Sequence, residues 1–241
     1  QLARRYRLTG FFLPLQTPPP FMLVSTHGSA LMAPSQVSIL PALRSPTGST
    51  SLDGGQTWAA APSQQVSGGV QINALVVHPR DAQTVYVATN DGAVLKSTDG
   101  GQNWMQLNSG LPSLPVSVLA LAPSNPDTLF AAMKGTETIA GAGLYRSTDG
   151  GATWMQLNSG LAPEAPVTSI VVDPKNSQIV YLGDFFSGVY VSTDGGGTWQ
   201  SLNQGLTHTA VKTMAISDDG TVLYASIWGD GVYRLRIRSE G

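Results

Sequence analysis

"STDGGATW", residues 147–154, sets the reading of this chain because it is not unique within it. Near-copies stand at 51–58 ("SLDGGQTW"), 97–104 ("STDGGQNW") and 192–199 ("STDGGGTW"). A catalytic site is needed once, so a segment present four times serves architecture first. Its aspartates, Asp53, Asp99, Asp149 and Asp194, are spaced by 46, 50 and 45 residues. A period of roughly 40–50 residues marks a propeller or a solenoid.

The residues between the copies repeat as well. "NALVVHPRDAQTVYVATNDGAVLKSTDGGQNWMQLNSGL" is echoed by "TSIVVDPKNSQIVYLGDFFSGVYVSTDGGGTWQSLNQGL". Each unit reads as four short strands: A ("ALVVHP"), B ("TVYVAT"), C ("GLYRS") and D ("TWMQLN"). Apolar β-branched residues fill A and B, and Gly, Asn, Asp and Pro punctuate between strands. No helical period is present. The expected fold is all-β, a β-propeller of four-stranded blades. Five blades are expected in a single domain of residues 1–241, at about 27–62, 70–110, 116–160, 167–206 and 210–238. The last unit supplies A, B and C and then the chain ends. "FFLPLQ" (11–16) resembles "NWMQLN" (103–108), so residues 9–16 are expected to act as the missing closing strand. Sharing a blade between both termini would remove two open sheet edges. The rival expectation is a fragment of a six- or seven-bladed ring.

Composition agrees with many tight turns: 27 Gly and 16 Pro in 241 residues, and only 12% charged residues against roughly 25% in an average domain. The net charge of −2 provides no basic stripe, which argues against nucleic acid as a partner. The absence of cysteine excludes disulfides, thiolate metal sites and cysteine nucleophiles. No apolar run reaches the ~18 residues of a membrane span. The start, "QLARRYRLTGFFLPLQTPPPF", places basic residues before an apolar patch that Pro14 and Pro18 to Pro20 interrupt. Beginning with Gln, the chain reads as processed, trimmed or a fragment. Low charge with abundant Gly, Ser, Thr and Asn leans towards an extracytoplasmic, secreted or periplasmic protein.

S-x-D-x-G-x-T-W is identified as the Asp box, or BNR repeat, of neuraminidase-type propellers. The resemblance covers about residues 27–241 and implies a fold rather than an activity. The box is expected to be a self-supporting turn between strands C and D. The carboxylates of Asp53, Asp99, Asp149 and Asp194 accept backbone N–H groups, the glycines allow positive φ, and Trp58, Trp104, Trp154 and Trp199 pack between blades.

In such a ring, the B–C loops and D–A connections open on the face opposite the boxes. Ligand-face candidates there are Asp91, Lys134, Glu137, Asp184, Phe185, Phe186, Trp228 and Asp230. Aromatic faces stack on the C–H surfaces of sugars and carboxylates bind their hydroxyls, so these residue types suit a glycan. They are equally ordinary turn and packing residues. The eleven-residue loop 133–143 is the main irregularity of the repeat, and long loops on rigid scaffolds often carry function. His27, His78 and His208 lack metal-ligand spacing, so no metal and no cofactor is expected.

The units resemble two families closely. One is the xyloglucan-cleaving glycoside hydrolases, which set a catalytic Asp pair between two propellers. No residue here matches either catalytic aspartate, so none is carried over. The other is the photosystem II stability/assembly-factor-like family, whose members are single propellers acting as protein-binding scaffolds. Sialidases are disfavoured, because of the arginines only Arg44 falls on a ligand-face loop. Sortilin-type receptors share the box but carry a cysteine-rich tail absent here. The resulting expectation leans against an enzyme. It is a monomeric, exported binding scaffold that recognises a protein or polysaccharide on the B–C/D–A face. The alternative is a xyloglucanase-like glycoside hydrolase or a fragment of one.

Overall fold

The computed structural model of the chain describes residues 70–134, 143–157, 161 and 166–237, together with the backbone of three short strands nearer the N-terminus. Every regular element among these residues is a β-strand. Strands β1 (Ser38–Ile39), β2 (Ser49–Thr50) and β3 (Ala59–Ala60) form one antiparallel sheet. The next comprises β4 (Ile72–His78), β5 (Asp81–Thr89), β6 (Val94–Ser97) and β7 (Met105–Gln106). A second four-stranded sheet holds β8 (Val116–Leu121), β9 (Leu129–Met133), β10 (Gly143–Ser147) and β11 (Met155–Leu157). A third holds β12 (Val167–Asp173), β13 (Asn176–Asp184), β14 (Gly188–Ser192) and β15 (Gln200–Ser201). The last described sheet has three strands, β16 (Val211–Ile216), β17 (Val222–Ile227) and β18 (Gly231–Arg236). Within each sheet the strands lie in sequence order and pair antiparallel. These are propeller blades. The described sheets do not close into a ring, and the expected closing strand 9–16, with Asp53 and Trp58, lies outside the described residues.

In the three four-stranded blades the second strand is buried on both faces. Val85 to Thr89, Leu129 to Met133 and Val180 to Asp184 are each continuously buried, as expected of strands sandwiched between neighbouring sheets. The outer strands β7, β11 and β15 are shorter than the "TWMQLN" pattern suggested, because the Trp belongs to the preceding turn. Hydrophobic clusters run between blades rather than within them. One joins Tyr86, Val94 and Leu107 to Leu119, Tyr145 and Trp154 of the next sheet. Another joins Phe130, Leu144 and Leu157 to Ile170, Val180 and Trp199. Close approach is exacting at Gly183 in β13, where an added Cβ would sit 2.6 Å from Cγ1 of Val211 in the next blade.

The Asp-box turns at Asp99, Asp149 and Asp194 share one geometry. In the 147–154 turn, Ser147 Oγ donates to Asp149 Oδ1 (2.7 Å) and accepts the Gly151 N–H (2.8 Å). The same carboxylate accepts the N–H of Thr153 (2.9 Å) and its hydroxyl (2.5 Å). Gly150 and Gly151 take φ of 70° and 92°, which side chains resist. The box around Asp194 repeats these bonds, and that around Asp99 does so with the Asn103 side-chain amide in place of the hydroxyl. Stabilised by donors, the carboxylates titrate low, at about 2. The leading cause is the Asn103 N–H for Asp99, the Thr153 hydroxyl for Asp149 and the Thr198 N–H for Asp194. The indole N–H of Trp154 reaches the Leu107 carbonyl of the preceding blade (2.9 Å), whereas that of Trp104 bonds its own turn at Gly101 (3.0 Å). A turn missed in the sequence, Ser217–Thr221 between β16 and β17, copies the device. Asp219 there accepts the Ser217 hydroxyl (2.5 Å) and the Thr221 N–H (2.9 Å), and its carboxyl is likewise lowered to about 2.

The described boxes lean on the A–B end of their own blades, as Gly150 N donates to Asp127 O (2.9 Å) and Gly195 N to Gln178 O at the start of β13 (2.8 Å). The opposite end of the blades is thereby left to the B–C loops.

Candidate functional site

The B–C loops begin alike. The first residue after strand B donates its N–H to the carbonyl of the residue preceding strand A of the same blade. The pairs are Asn90 to Gln71 (2.9 Å), Lys134 to Pro115 (2.7 Å), Phe185 to Pro166 (3.2 Å) and Trp228 to Ala210 (2.8 Å). Lys134, Phe185 and Trp228 therefore occupy one equivalent slot in three successive blades, on the end away from the boxes. The loops are braced from the D–A side by the Asn of the repeated "LN". Asn203 donates to Ser187 O (2.7 Å) and accepts the Val189 N–H (2.7 Å), and Asn108 does the same with Gly92 O (3.0 Å) and Val94 N (2.9 Å). Sequence reading missed this role of Asn108 and Asn203, although the repetition of the dipeptide marked them.

At the junction of the last two blades the slots become an aromatic patch. Phe186 is 72% exposed and Trp228 62% exposed. The rings of Phe185 and Phe186 meet edge to face, with centroids 5.3 Å apart. Between the loops stands Lys212, its Nζ 4.1 Å from the Trp228 ring centroid and 5.6 Å from that of Phe185. Lys212 was not among the sequence candidates. Its signal was positional: it is the second residue of strand A, where the other blades carry Asn73, Ser117 and Thr168. That residue is bulged in every described blade. Asn73 and Thr168 use the bulge to hydrogen-bond a carbonyl of the following blade, at Val116 (2.9 Å) and Val211 (2.9 Å). Lys212 instead lays its ammonium over aromatic faces, an attraction that strengthens as water is displaced.

The candidate carboxylates are bonded to neighbouring backbone and side-chain donors. Asp184 is fully buried, and its Oδ1 accepts the N–H groups of Phe186 (2.8 Å) and Ser187 (2.6 Å). That bond pair shapes the turn presenting Phe186, which Thr209 Oγ1 ties to the next connection through the Phe186 carbonyl (2.7 Å). Asp230 accepts the hydroxyls of Thr207 and Tyr233 and contacts His208 Nδ1 (3.2 Å). Asp91, two blades away from the aromatic patch, accepts the Thr89 hydroxyl. Lys134 lies exposed in the intervening blade, and Glu137 falls outside the described residues. His78 accepts the Arg80 N–H (3.2 Å) in an A–B turn on the box end. Among the described residues no group of three His, Asp or Glu is placed to hold a metal ion. No helix there is long and apolar enough to cross a membrane. The patch as a whole offers flat apolar faces with one ammonium among them, which suits a ligand carrying an apolar face beside a hydrogen-bond acceptor.

The BNR/Asp-box repeat family model matches residues 190–201, the stretch holding Asp194 and its turn. The chain thus carries the Asp-box repeat on a β-propeller fold. A second family model, described as Sortilin, neurotensin receptor 3, matches residues 48–162 of this propeller. No curated protein matches the sequence. Among solved structures, an ancestral GH74 enzyme superposes with a TM-score of 0.63 at 23% identity, over 94% of this chain and 32% of that enzyme. The GH74 xyloglucanase of Xanthomonas campestris gives 0.53 at 20% identity, over 87% of this chain and 34% of its own. YCF48 bound to D1 peptide gives 0.56 at 18% identity, covering 90% of this chain and 68% of the other. The propeller thus spans about a third of the length of the GH74 enzymes it resembles. At these identities the likeness establishes the fold, and the same fold serves both a peptide-bound factor and glycoside hydrolases.

Proposed function

We propose that this propeller is a non-enzymatic, exported binding scaffold that captures a protein or a glycan on its B–C/D–A face. The site is centred on Phe186, Trp228 and Lys212, with Phe185 behind them. The observation that supports this reading is the exposure of Phe186 and Trp228 at adjoining loops around a single ammonium. Large apolar side chains grouped at a surface mark an interaction site more often than scattered ones do. An indole and a phenyl ring would stack on a sugar ring or an apolar peptide side chain, while Lys212 would donate to an acceptor at its edge.

The second reading, a glycoside hydrolase or part of one, is favoured by the GH74 likeness. Such an enzyme needs two carboxyl groups facing the scissile bond, about 5–9.5 Å apart. Asp184 is engaged by the turn that follows it, Asp91 by Thr89, and Asp230 by Thr207 of the D–A connection and Tyr233 of β18, which weighs for binding over cleavage. The test is incubation of purified protein with xyloglucan, other soluble β-glucans and an immobilised peptide library. Release of reducing ends and depletion of protein are scored together. Retention without cleavage supports the scaffold and separates glycan from protein ligands. New reducing ends would replace it by the hydrolase reading, and retention on nothing would overturn the binding site.

A further inference from the structure

Around the aromatic patch the exposed charge has one sign. Among the described residues, the loops and strand ends that frame Phe186 and Trp228 carry four ionisable groups, Asp184, His208, Lys212 and Asp230. Neither carboxylate is offered to solvent. Asp184 is fully buried, with Oδ1 taken by two N–H groups of its turn. The Asp230 side chain is only 6% exposed, and its Oδ2 accepts the hydroxyls of Thr207 and Tyr233. What faces outward is the Lys212 ammonium and the His208 ring, which is 67% exposed. The exposed carboxylate of Asp91 stands two blades away.

Lys212 meets rings rather than carboxylates. Among the described residues no carboxylate forms an ion pair with it, and its Nζ lies over Trp228 and Phe185. An aromatic face attracts a cation without cancelling its charge, so the ammonium keeps donors for an anion. The bulge slot it fills is neutral in the other described blades, as Asn73, Ser117 and Thr168. Lysine enters it in the blade whose B–C loop presents the indole. Exposure also bears on the shape of the ligand. Phe186 and Trp228 lie open to solvent, whereas the apolar anchor of a protein partner fills a well-packed pocket. An open ring face matches a flat, rigid ring bearing C–H bonds on one side. A uronic acid has that face and carries its carboxylate at the ring edge.

We propose that the ligand of this patch is an acidic glycan, a chain containing uronic acid residues. This rests on the binding-scaffold reading above and adds the chemistry of the ligand to it. A pyranose ring stacks on Trp228 or Phe186, and its carboxylate accepts a charge-assisted hydrogen bond from Lys212 Nζ. A neutral glucan can stack on the same rings but leaves the ammonium without an anion. Because Asp184 and Asp230 are withdrawn and already bonded, no exposed carboxylate of these two loops repels the incoming charge. The chain as a whole has a net charge of −2, so the attraction is local to the patch.

The test is calorimetric titration of the full chain with four probes. These are an oligogalacturonate, its methyl ester, a neutral xyloglucan oligosaccharide and a peptide of alternating Asp and Phe. The ester keeps the rings and removes the charge. Lys212→Met keeps the length of the side chain and removes the ammonium, Lys212→Arg restores a cation, and thermal melts confirm that both stay folded. The expected result is binding of the oligogalacturonate, weakened about fivefold by esterification or by Lys212→Met and recovered in Lys212→Arg. Added salt should weaken the parent more than Lys212→Met. Failure to bind the oligogalacturonate, equal binding of its ester, or equal binding by Lys212→Met overturns the proposal. Preference for the acidic peptide overturns it too and assigns the patch to a protein. Preference for the neutral oligosaccharide, abolished by Phe186→Ala/Trp228→Ala and indifferent to Lys212, overturns the acidic ligand while leaving the binding site in place.

Discussion

Removing one oxygen atom tests the view that the Asp box is a self-supporting turn. Ser147→Ala deletes a hydroxyl that is 1% exposed with its residue, accepts the buried Gly151 N–H at 2.8 Å and steers Asp149 Oδ1 at 2.7 Å. Alanine keeps the Cβ and adds no strain, so the effect isolates the hydrogen bonds. Gly151 lies against Leu107 and Trp154, and its bond to the Ser147 hydroxyl is buried. An orphaned buried donor costs about 1–3 kcal/mol. For a chain of this length each kcal/mol lowers the melting temperature by ~2–4 °C, giving a fall of ~2–12 °C. Thr148→Ala, one residue along on the exposed side of the turn, is the matched control and should stay within about 0.5 kcal/mol of the parent. Circular dichroism melts of the three proteins decide the matter. A Ser147→Ala melt indistinguishable from Thr148→Ala would refute the reasoning.

Acid should loosen the boxes together. Asp99, Asp149, Asp194 and Asp219 are held at about 2, below the ordinary 3.8. Their contribution is therefore complete above the unfolded value and is lost as pH falls from about 4 towards 2. Melting temperature should decline across that window, less steeply in Asp149→Asn, and a flat profile to pH 2 would contradict the assignment. Gly183→Ala should destabilise by about 1–3 kcal/mol, because the new methyl meets Val211; an unchanged denaturant midpoint would show that the junction is looser than described. Asp184→Ala orphans the two N–H groups that shape the Phe186 turn and should lower stability by about 1–3 kcal/mol. Phe186→Ala should leave the melt unchanged. Equal melts for these two variants would remove the structural role of Asp184.

The architecture was legible because repetition exposes it. Four copies of one turn fixed the period, and the strands between them followed from β-branched runs and glycine punctuation. The candidate site was legible in part. Phe185, Phe186 and Trp228 could be assigned to B–C loops from spacing, and the structure brings them together. Asp184 could not be placed by type alone, since an Asp ending strand B looks the same whether it faces solvent or caps its own turn. Lys212 was hidden because its meaning comes from a strand bulge. A one-residue register shift sets the direction of its side chain, and no composition signal announces it.

The most direct test of the central claim compares the parent with a Phe186→Ala/Trp228→Ala double variant on whichever glycan or peptide retains the parent. The account predicts matching melts and at least a tenfold weaker retention by the variant, about 1.4 kcal/mol. Equal retention by two equally stable proteins would place the ligand elsewhere and contradict it.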